Sequence, residues 1–257
     1  MPAEVSPATT YISAAIPPGC IDHYVLLMTP ADLRGMTQFV LALGRVVSNI
    51  SQQNTEAPIR QLKLNWFLEE VEMVSKNQPR HPLTIELASA VPHCDWLEPL
   101  QTLIRGALID TTMPTIDRLE LLLPFCHRAA QRQALMASVL PGCDEPALDR
   151  ARQLGVGICL TEVIRDLNNK GSRVTKSAFA DDTTAETLAR LARQHFESGA
   201  NSRVESRRAQ GSVLLQARLY RRFLLRLENY DFDSQRAAMR PPSLLWHAWR
   251  EARKLAA

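Results

Sequence analysis

The sequence has little excess charge and few aromatic residues. Its 257 residues carry a formal net charge of +3, and Phe, Trp and Tyr together make up 6% of the chain. A charge this small does not indicate a nucleic-acid partner by itself. Aromatic side chains that could stack on bases are scarce, and no RNP-like or zinc-finger-like motif occurs. Both absences argue against nucleic-acid binding.

The cysteines lack the spacing of a disulfide framework or a zinc site. There are five, and no two of them form a CxxC pair: Cys20, Cys94, Cys126, Cys143 and Cys159. Disulfide-rich domains carry even numbers of cysteines, and structural zinc sites use closely spaced pairs. We therefore expect free thiols in a reducing compartment.

Long apolar runs are also missing. No stretch approaches the ~20 apolar residues that a membrane-spanning helix needs. The N-terminal sequence MPAEVSPATTYISAAIPPGC has neither the basic region nor the apolar segment of a secretory signal. We expect a soluble cytoplasmic protein, with peripheral attachment to the inner face of a membrane as the alternative.

In place of β alternation, the sequence shows helical periodicity. From Ala31 onwards, apolar residues such as Met36, Phe39, Val40 and Leu43 recur at intervals of three and four, which places them on one helix face. Hydrophobic residues make up 46% of the chain, enough for a sizeable core. The pattern predicts an all-α protein.

The predicted helices group into one domain over residues 20–257. Residues 1–19 carry several prolines and little periodicity, so we expect a flexible N-terminal arm. Pro124 lies inside an otherwise helical segment and should kink or split it. Gly155 and Gly157 lie where a neighbouring helix could approach closely.

Six segments, taken in order, resemble the motifs of one enzyme family. They are LKLNWFLEEV (62–71), RHPLTIEL (80–87), LIRGALID (103–110), FCHRAA (125–130), GVGICLTEVIRDLNNKGSRV (155–174) and LLWHAWREA (244–252). Together they are similar to the squalene/phytoene synthase family of head-to-head prenyl transferases, from about Ile21 to the C-terminus. The resemblance implies an isoprenoid-synthase-like helical bundle around a central cavity.

The chemistry of that family depends on two acidic clusters that face each other across the cavity. Carboxylates four residues apart share one helix face and hold the Mg²⁺ ions that bind the substrate diphosphate. The first cluster aligns without a gap on residues 39–53, where its four acids fall on Ser48, Asn49, Gln52 and Gln53. None of these residues carries a charge.

The second cluster is altered as well. Asp166 is retained, but the acids that follow become Asn169 and Lys170, and the preceding Asn becomes Glu162. Replacing Asp by Lys changes the local charge by two units. Each unit charge interacts with another unit charge ~4 Å away by up to ~4 kcal/mol at an effective dielectric near 20. We expect no metal cofactor, and Mg²⁺ only if the chain is active.

Other roles for these residues stay open. Four cations could hold a diphosphate directly, without a metal: Arg45, Arg165, Lys170 and Arg173. Alternatively, Asp166 and Lys170 form an ordinary helix ion pair worth roughly 0.3–0.5 kcal/mol. Asp166 is the one weak candidate for a metal ligand, with Glu162 as its partner. No catalytic residue is assigned with certainty.

A run of arginines is the strongest charge feature of the chain. It comprises Arg203, Arg207, Arg208, Arg218, Arg221, Arg222 and Arg226. Few acids oppose it, chiefly Glu205 and Glu228. Three hypotheses follow: a solvated helix face, a surface for anionic lipid headgroups, or a contact with an acidic protein partner.

The altered clusters lead to two main functional hypotheses, because a shared fold does not carry activity with it. The first is a catalytically degenerate family member, an accessory or assembly factor that binds a prenyl group or another lipid. The segment PIRQLKLNWF resembles a subgroup that includes the mitochondrial assembly factor for respiratory complex I, which implies a membrane-protein or respiratory-complex partner. The second is an active prenyl transferase with altered metal use. A plain lipid-binding protein is a third, weaker hypothesis.

Overall fold

The computed structural model describes residues 7–53, 55–113, 116, 118–167, 184–201 and 210–256. Within these ranges the α-helices are α1 (Pro7–Ala15), α2 (Ile21–Met28), α3 (Ala31–Gln52), α4 (Ala57–Ser75), α5 (Pro82–Ala90), α6 (Leu97–Thr111), α7 (Leu119–Ala129), α8 (Gln131–Ser138), α9 (Glu145–Asp166), α10 (Thr184–Asn201), α11 (Gly211–Asn229), α12 (Ser234–Ala237) and α13 (Pro241–Ala256). No β-strand occurs in the described ranges, and none of their helices is long and apolar enough to cross a membrane. The prediction of an all-α protein is confirmed.

Helix α9 forms the centre of the bundle. Asp144 caps its N-terminus by accepting a hydrogen bond from the backbone N–H of Ala147. Its second half is buried on nearly all sides, from Leu154 to Ile164, as expected for a helix inside a larger core. Helices α7, α8, α10 and α11 pack around it. Any polar side chain on this part of α9 must therefore find partners within the protein.

Two glycines let neighbouring helices approach α9 closely. A Cβ atom at Gly155 would lie 2.8 Å from the Cα of Ala130, and one at Gly157 would lie 3.0 Å from the ring of Phe196. Both distances are shorter than the usual separation between two non-bonded carbon atoms. The predicted close approach at Gly155 and Gly157 is confirmed.

Two expectations drawn from prolines are corrected. Residues 7–15 of the predicted arm form helix α1, which packs on α3 and α5 and buries Ala8; a helix of nine residues is too short to show clear periodicity. Helix α7 continues through Pro124, so the expected split there is wrong, and the helix ends at Ala129 before α8 begins at Gln131. A kink at Pro124 stays a prediction. The donor that Pro124 lacks would have bonded to the carbonyl of Glu120, in the first turn of the helix.

Candidate functional site

A cleft of about 470 Å³ opens between the N-terminal segment, helices α2, α3, α9 and α11, and the start of α13 with the residues before it. Apolar side chains form part of its wall: Ala14, Ile21, Phe223, Met239 and Leu244. Polar and charged side chains form another part: Asp22, Arg45, Asn49, Glu162, Arg165 and Tyr220. The cleft therefore joins an apolar wall to a polar wall that carries charges of both signs.

Glu162 of α9 is at the centre of the polar wall. Its Oε1 atom accepts hydrogen bonds from Nη1 of Arg45 at 3.1 Å and from the hydroxyl of Tyr220 at 2.8 Å. Its Oε2 atom accepts a hydrogen bond from Nη2 of Arg132 at 2.8 Å. The side chain of Glu162 is only 14% exposed. One carboxylate is thus held by two guanidinium groups and a phenol.

A second buried acid completes the network. Arg45 donates from Nε to Oδ2 of Asp22 at 3.0 Å, and Oδ1 of Asp22 accepts a hydrogen bond from Nε2 of Gln216 at 2.6 Å. The side chain of Asp22 is 3% exposed. The network therefore contains two arginines, Arg45 and Arg132, and two acids, Asp22 and Glu162, so its positive and negative charges cancel. The network has no negative charge left over to attract a cation.

The charges of the network shift the pKa values of its members. Burial alone would raise the pKa of Glu162, but the guanidinium groups of Arg132 and Arg45 outweigh it and hold that pKa well below its ordinary value. Burial would lower the pKa of Arg45, yet Asp22 and Glu162 raise it. Burial, together with the Glu162 carboxylate, raises the pKa of Tyr220. Glu162 and Arg45 are therefore charged at neutral pH, and the phenol of Tyr220 stays protonated.

The residues that align with the first acidic cluster do not converge on the cleft. Asn49 lines it. Ser48 is buried, and its hydroxyl has no hydrogen-bond partner among the described residues. Gln52 and Gln53 are exposed at the end of α3, where Oε1 of Gln53 accepts a hydrogen bond from Lys63 at 2.9 Å. Of the four predicted positions, α3 presents one amide to the cleft.

The second cluster is engaged in ion pairs within the protein. Asp166 pairs with its neighbour Arg165 through both carboxylate oxygens, at 2.8 and 2.5 Å. That hydrogen bonding, together with the charges of Glu162 and Asp166, raises the pKa of Arg165 despite burial. The candidate role of Asp166 as a metal ligand with Glu162 stays a prediction. Asn169, Lys170 and Arg173 lie outside the described residues, so the predicted pair of Asp166 with Lys170 stays a prediction.

The donor set of the described residues does not suit Mg²⁺. No group of three or more His, Cys, Asp or Glu side chains lies together in these parts of the chain as a metal site requires. The candidate ligand Glu162 is surrounded by Arg45 and Arg132 instead of by further oxygen donors. Mg²⁺ prefers an octahedral shell of oxygen atoms, and guanidinium groups offer none.

Sequence reasoning missed four members of the network: Asp22, Arg132, Gln216 and Tyr220. They come from α2, α8 and α11, so no spacing within one segment could have linked them to Glu162. A weaker signal was available. Arg45 and Glu162 are each surrounded by apolar residues in LALGRVV and ICLTEVI. A buried charge needs a partner, and the two charges have opposite signs.

Comparison with known proteins identifies the fold and the family. The crystal structure of a dehydrosqualene synthase in complex with ligand superimposes with a TM-score of 0.71; the match covers 97% of this chain and 95% of the other, at 13% sequence identity. At that identity the likeness shows the isoprenoid-synthase fold alone. No curated protein sequence gives a significant match. The sequence model of the squalene/phytoene synthases matches residues 23–174, more than half of the chain. The chain therefore belongs to the squalene/phytoene synthase family.

Proposed function

We propose that this chain is a catalytically degenerate member of the family that binds a prenyl group or another lipid in its cleft and serves as an accessory or assembly factor. One observation carries the proposal. Glu162, the acid of α9 that lines the cleft, is neutralised by Arg45 and Arg132. The α3 side of the cleft offers Asn49 and no carboxylate besides the paired Asp22 of α2.

The electrostatic balance disfavours a magnesium cluster. A dication bound beside Glu162 would be attracted by one carboxylate and repelled by two guanidinium groups. At ~4 Å and an effective dielectric near 20, each such pair of unit charges is worth about 4 kcal/mol. The repulsion outweighs the attraction unless Arg45 or Arg132 moves away. Asp22 and the hydroxyl of Tyr220 hold Arg45 in place, and the side chain of Arg132 is 10% exposed.

The apolar wall of the cleft suits a hydrocarbon ligand. Its volume of about 470 Å³ lies within the range of about 300–1,000 Å³ that is common for small-molecule sites. Arg165 stands beside the apolar wall with 41% of its side chain exposed, where it could contact an anionic head group. The assembly role rests on the resemblance of PIRQLKLNWF to the assembly-factor subgroup, and its partner would be a membrane protein such as a respiratory-complex subunit.

Calorimetry with a farnesyl thiodiphosphate, which cannot ionise readily, tests the ligand part of the proposal. We expect binding of the same affinity in Mg²⁺ and in EDTA, because protein groups rather than metal ions hold the ligand. Ala15→Trp, which places a large ring at the cleft wall, should weaken binding about tenfold or more, since the indole fills the space that the ligand needs.

Ala90→Trp is the matched control. Ala90 is the last residue of α5, as Ala15 is of α1, and it is exposed away from the cleft lining. Its replacement should leave the affinity unchanged. Binding that disappears in EDTA would support the active-transferase hypothesis instead, and the absence of any binding would refute the ligand part of the proposal.

A further inference from the structure

Helices α11 and α13 expose an unusual number of large apolar side chains beside arginines. Trp246, Trp249 and Leu245 of α13 are 50%, 47% and 43% exposed, and Leu225 of α11 is 47% exposed. The two helices pack against each other. We call this surface the α11–α13 face and define it by Arg221, Arg222, Leu225, Arg226, Leu245, Trp246, Trp249, Arg250 and Arg253.

The arginines of α13 stack on its tryptophans. The guanidinium carbon of Arg250 lies 4.8 Å from the ring centroid of Trp246, and that of Arg253 lies 5.0 Å from the ring of Trp249. These cation–π contacts hold each charge next to an exposed indole. Each pair therefore presents an apolar ring and a positive group to the same external surface.

Several polar nitrogen atoms of the face lack an internal partner. Nε of Arg222, Nε of Arg250 and Nδ1 of His247 are buried without a hydrogen-bond partner among the described residues. His247 is 8% exposed. Burial lowers the pKa of His247, and the nearby charges of Arg222 and Arg250 lower it further. The positive charges of Arg222 and Arg250 thus lie close together around His247.

Acidic groups among the described residues offset only part of this charge. Glu251 accepts contacts from Arg218, Arg250 and Lys254 at 3.3, 3.5 and 2.8 Å. The Glu251 carboxylate also raises the pKa of His247, against the effect of the Arg222 and Arg250 charges. Of the other nearby acids, Glu197 of α10 lies 4.0 Å from Arg221, and Glu228 pairs with Arg193 on α10. Among the described residues, the five arginines of the face therefore outnumber the two carboxylates that contact them, Glu197 and Glu251.

Exposed arginines alone usually indicate a solvated helix face, but two half-exposed tryptophans and two leucines are costly to leave in water. Tryptophan favours membrane interfaces, where its ring meets apolar chains and its N–H meets polar head groups. Arginine near an anionic lipid surface adds an attraction for each residue. We propose that the α11–α13 face binds an anionic phospholipid membrane, with Trp246 and Trp249 at the depth of the head groups. This inference does not depend on the proposed function.

Co-sedimentation with phospholipid vesicles tests the inference. The native chain should bind phosphatidylcholine vesicles that contain phosphatidylglycerol, and should not bind vesicles of phosphatidylcholine alone. Raising the salt concentration should weaken the binding, because exposed charges are screened. Trp246→Ala with Trp249→Ala, and separately Arg221→Glu with Arg253→Glu, should each reduce binding by about tenfold or more.

Two control pairs match these changes on other surfaces. Leu62→Ala with Ile109→Ala removes side chains that are 72% and 53% exposed on α4 and α6. Arg105→Glu with Arg190→Glu makes the same change in charge at exposed positions of α6 and α10. Both controls should bind like the native chain. Equal binding to both vesicle types, equal losses in the controls, or binding to acidic proteins but not to vesicles would each overturn the inference.

Discussion

Replacing Glu162 by Gln is expected to destabilise the protein by about 3–5 kcal/mol, the usual cost of removing one partner of a buried ion pair. The change leaves Arg45 with Asp22 alone and leaves Arg132 without its carboxylate. The side chain of Arg132 is 10% exposed, so water cannot readily compensate. Urea unfolding at neutral pH measures the loss as a shift of the transition midpoint.

Glu145→Gln is the matched control, since it removes another glutamate of α9 that pairs with an arginine. Glu145 lies 2.8 Å from Arg152, but its side chain is 68% exposed. An exposed pair of this kind contributes at most about 1 kcal/mol. If Glu162→Gln were no more destabilising than Glu145→Gln, the buried network would not be the feature that holds this end of the cleft together.

Lowering the pH from about 6 to about 3 is expected to weaken the fold by about 2 kcal/mol through Glu162 alone. The pKa of Glu162 in the folded protein lies well below its ordinary value of 4.5. Its stabilising contribution is therefore complete above the unfolded pKa and is lost progressively as the pH falls below it. Each pH unit in that window removes up to about 1.4 kcal/mol.

Unfolding of the native chain and of Glu162→Gln over the same pH range isolates this contribution. Other acids act on both proteins alike. Burial would raise the pKa of Glu70, for example, but hydrogen bonds from His81, Thr84 and Arg80 lower it. The variant should therefore lose less stability in acid than the native chain. Parallel stability curves for the two proteins would show that Glu162 does not carry the charge assigned to it.

The helices could be predicted well from the sequence, because their main determinant is local periodicity. Helix α3 begins at Ala31 as expected, and its buried residues include Val40, Leu43 and Val47 of the apolar pattern. Helix α1 was missed, because nine residues with few buried positions give a weak signal. The error at Pro124 has a different cause. A proline removes one helix hydrogen bond, and the packing of α7 on α6 and α9 supports the helix through that position.

The candidate site could be predicted only in part. The loss of acids from both clusters was visible in the sequence, and so was the candidate role of Glu162 and Arg45. The direct contact between Glu162 and Arg45 was not visible in the sequence, because the two residues are 117 positions apart. Arg132 and Tyr220 reach Glu162 across 30 and 58 positions. Only the packing of α3, α8 and α11 on α9 brings these groups together. This packing cannot be inferred from the spacing of residues along one helix.

A neutral network of arginines and acids lies where the family's magnesium-binding carboxylates are expected, and the proposed function depends on this claim above all. Release of diphosphate from farnesyl diphosphate in excess Mg²⁺ tests it most directly. We expect the purified chain to release no more diphosphate than a protein-free blank. Release that rises with protein concentration, stops in EDTA and is abolished by Asp166→Asn would contradict the claim.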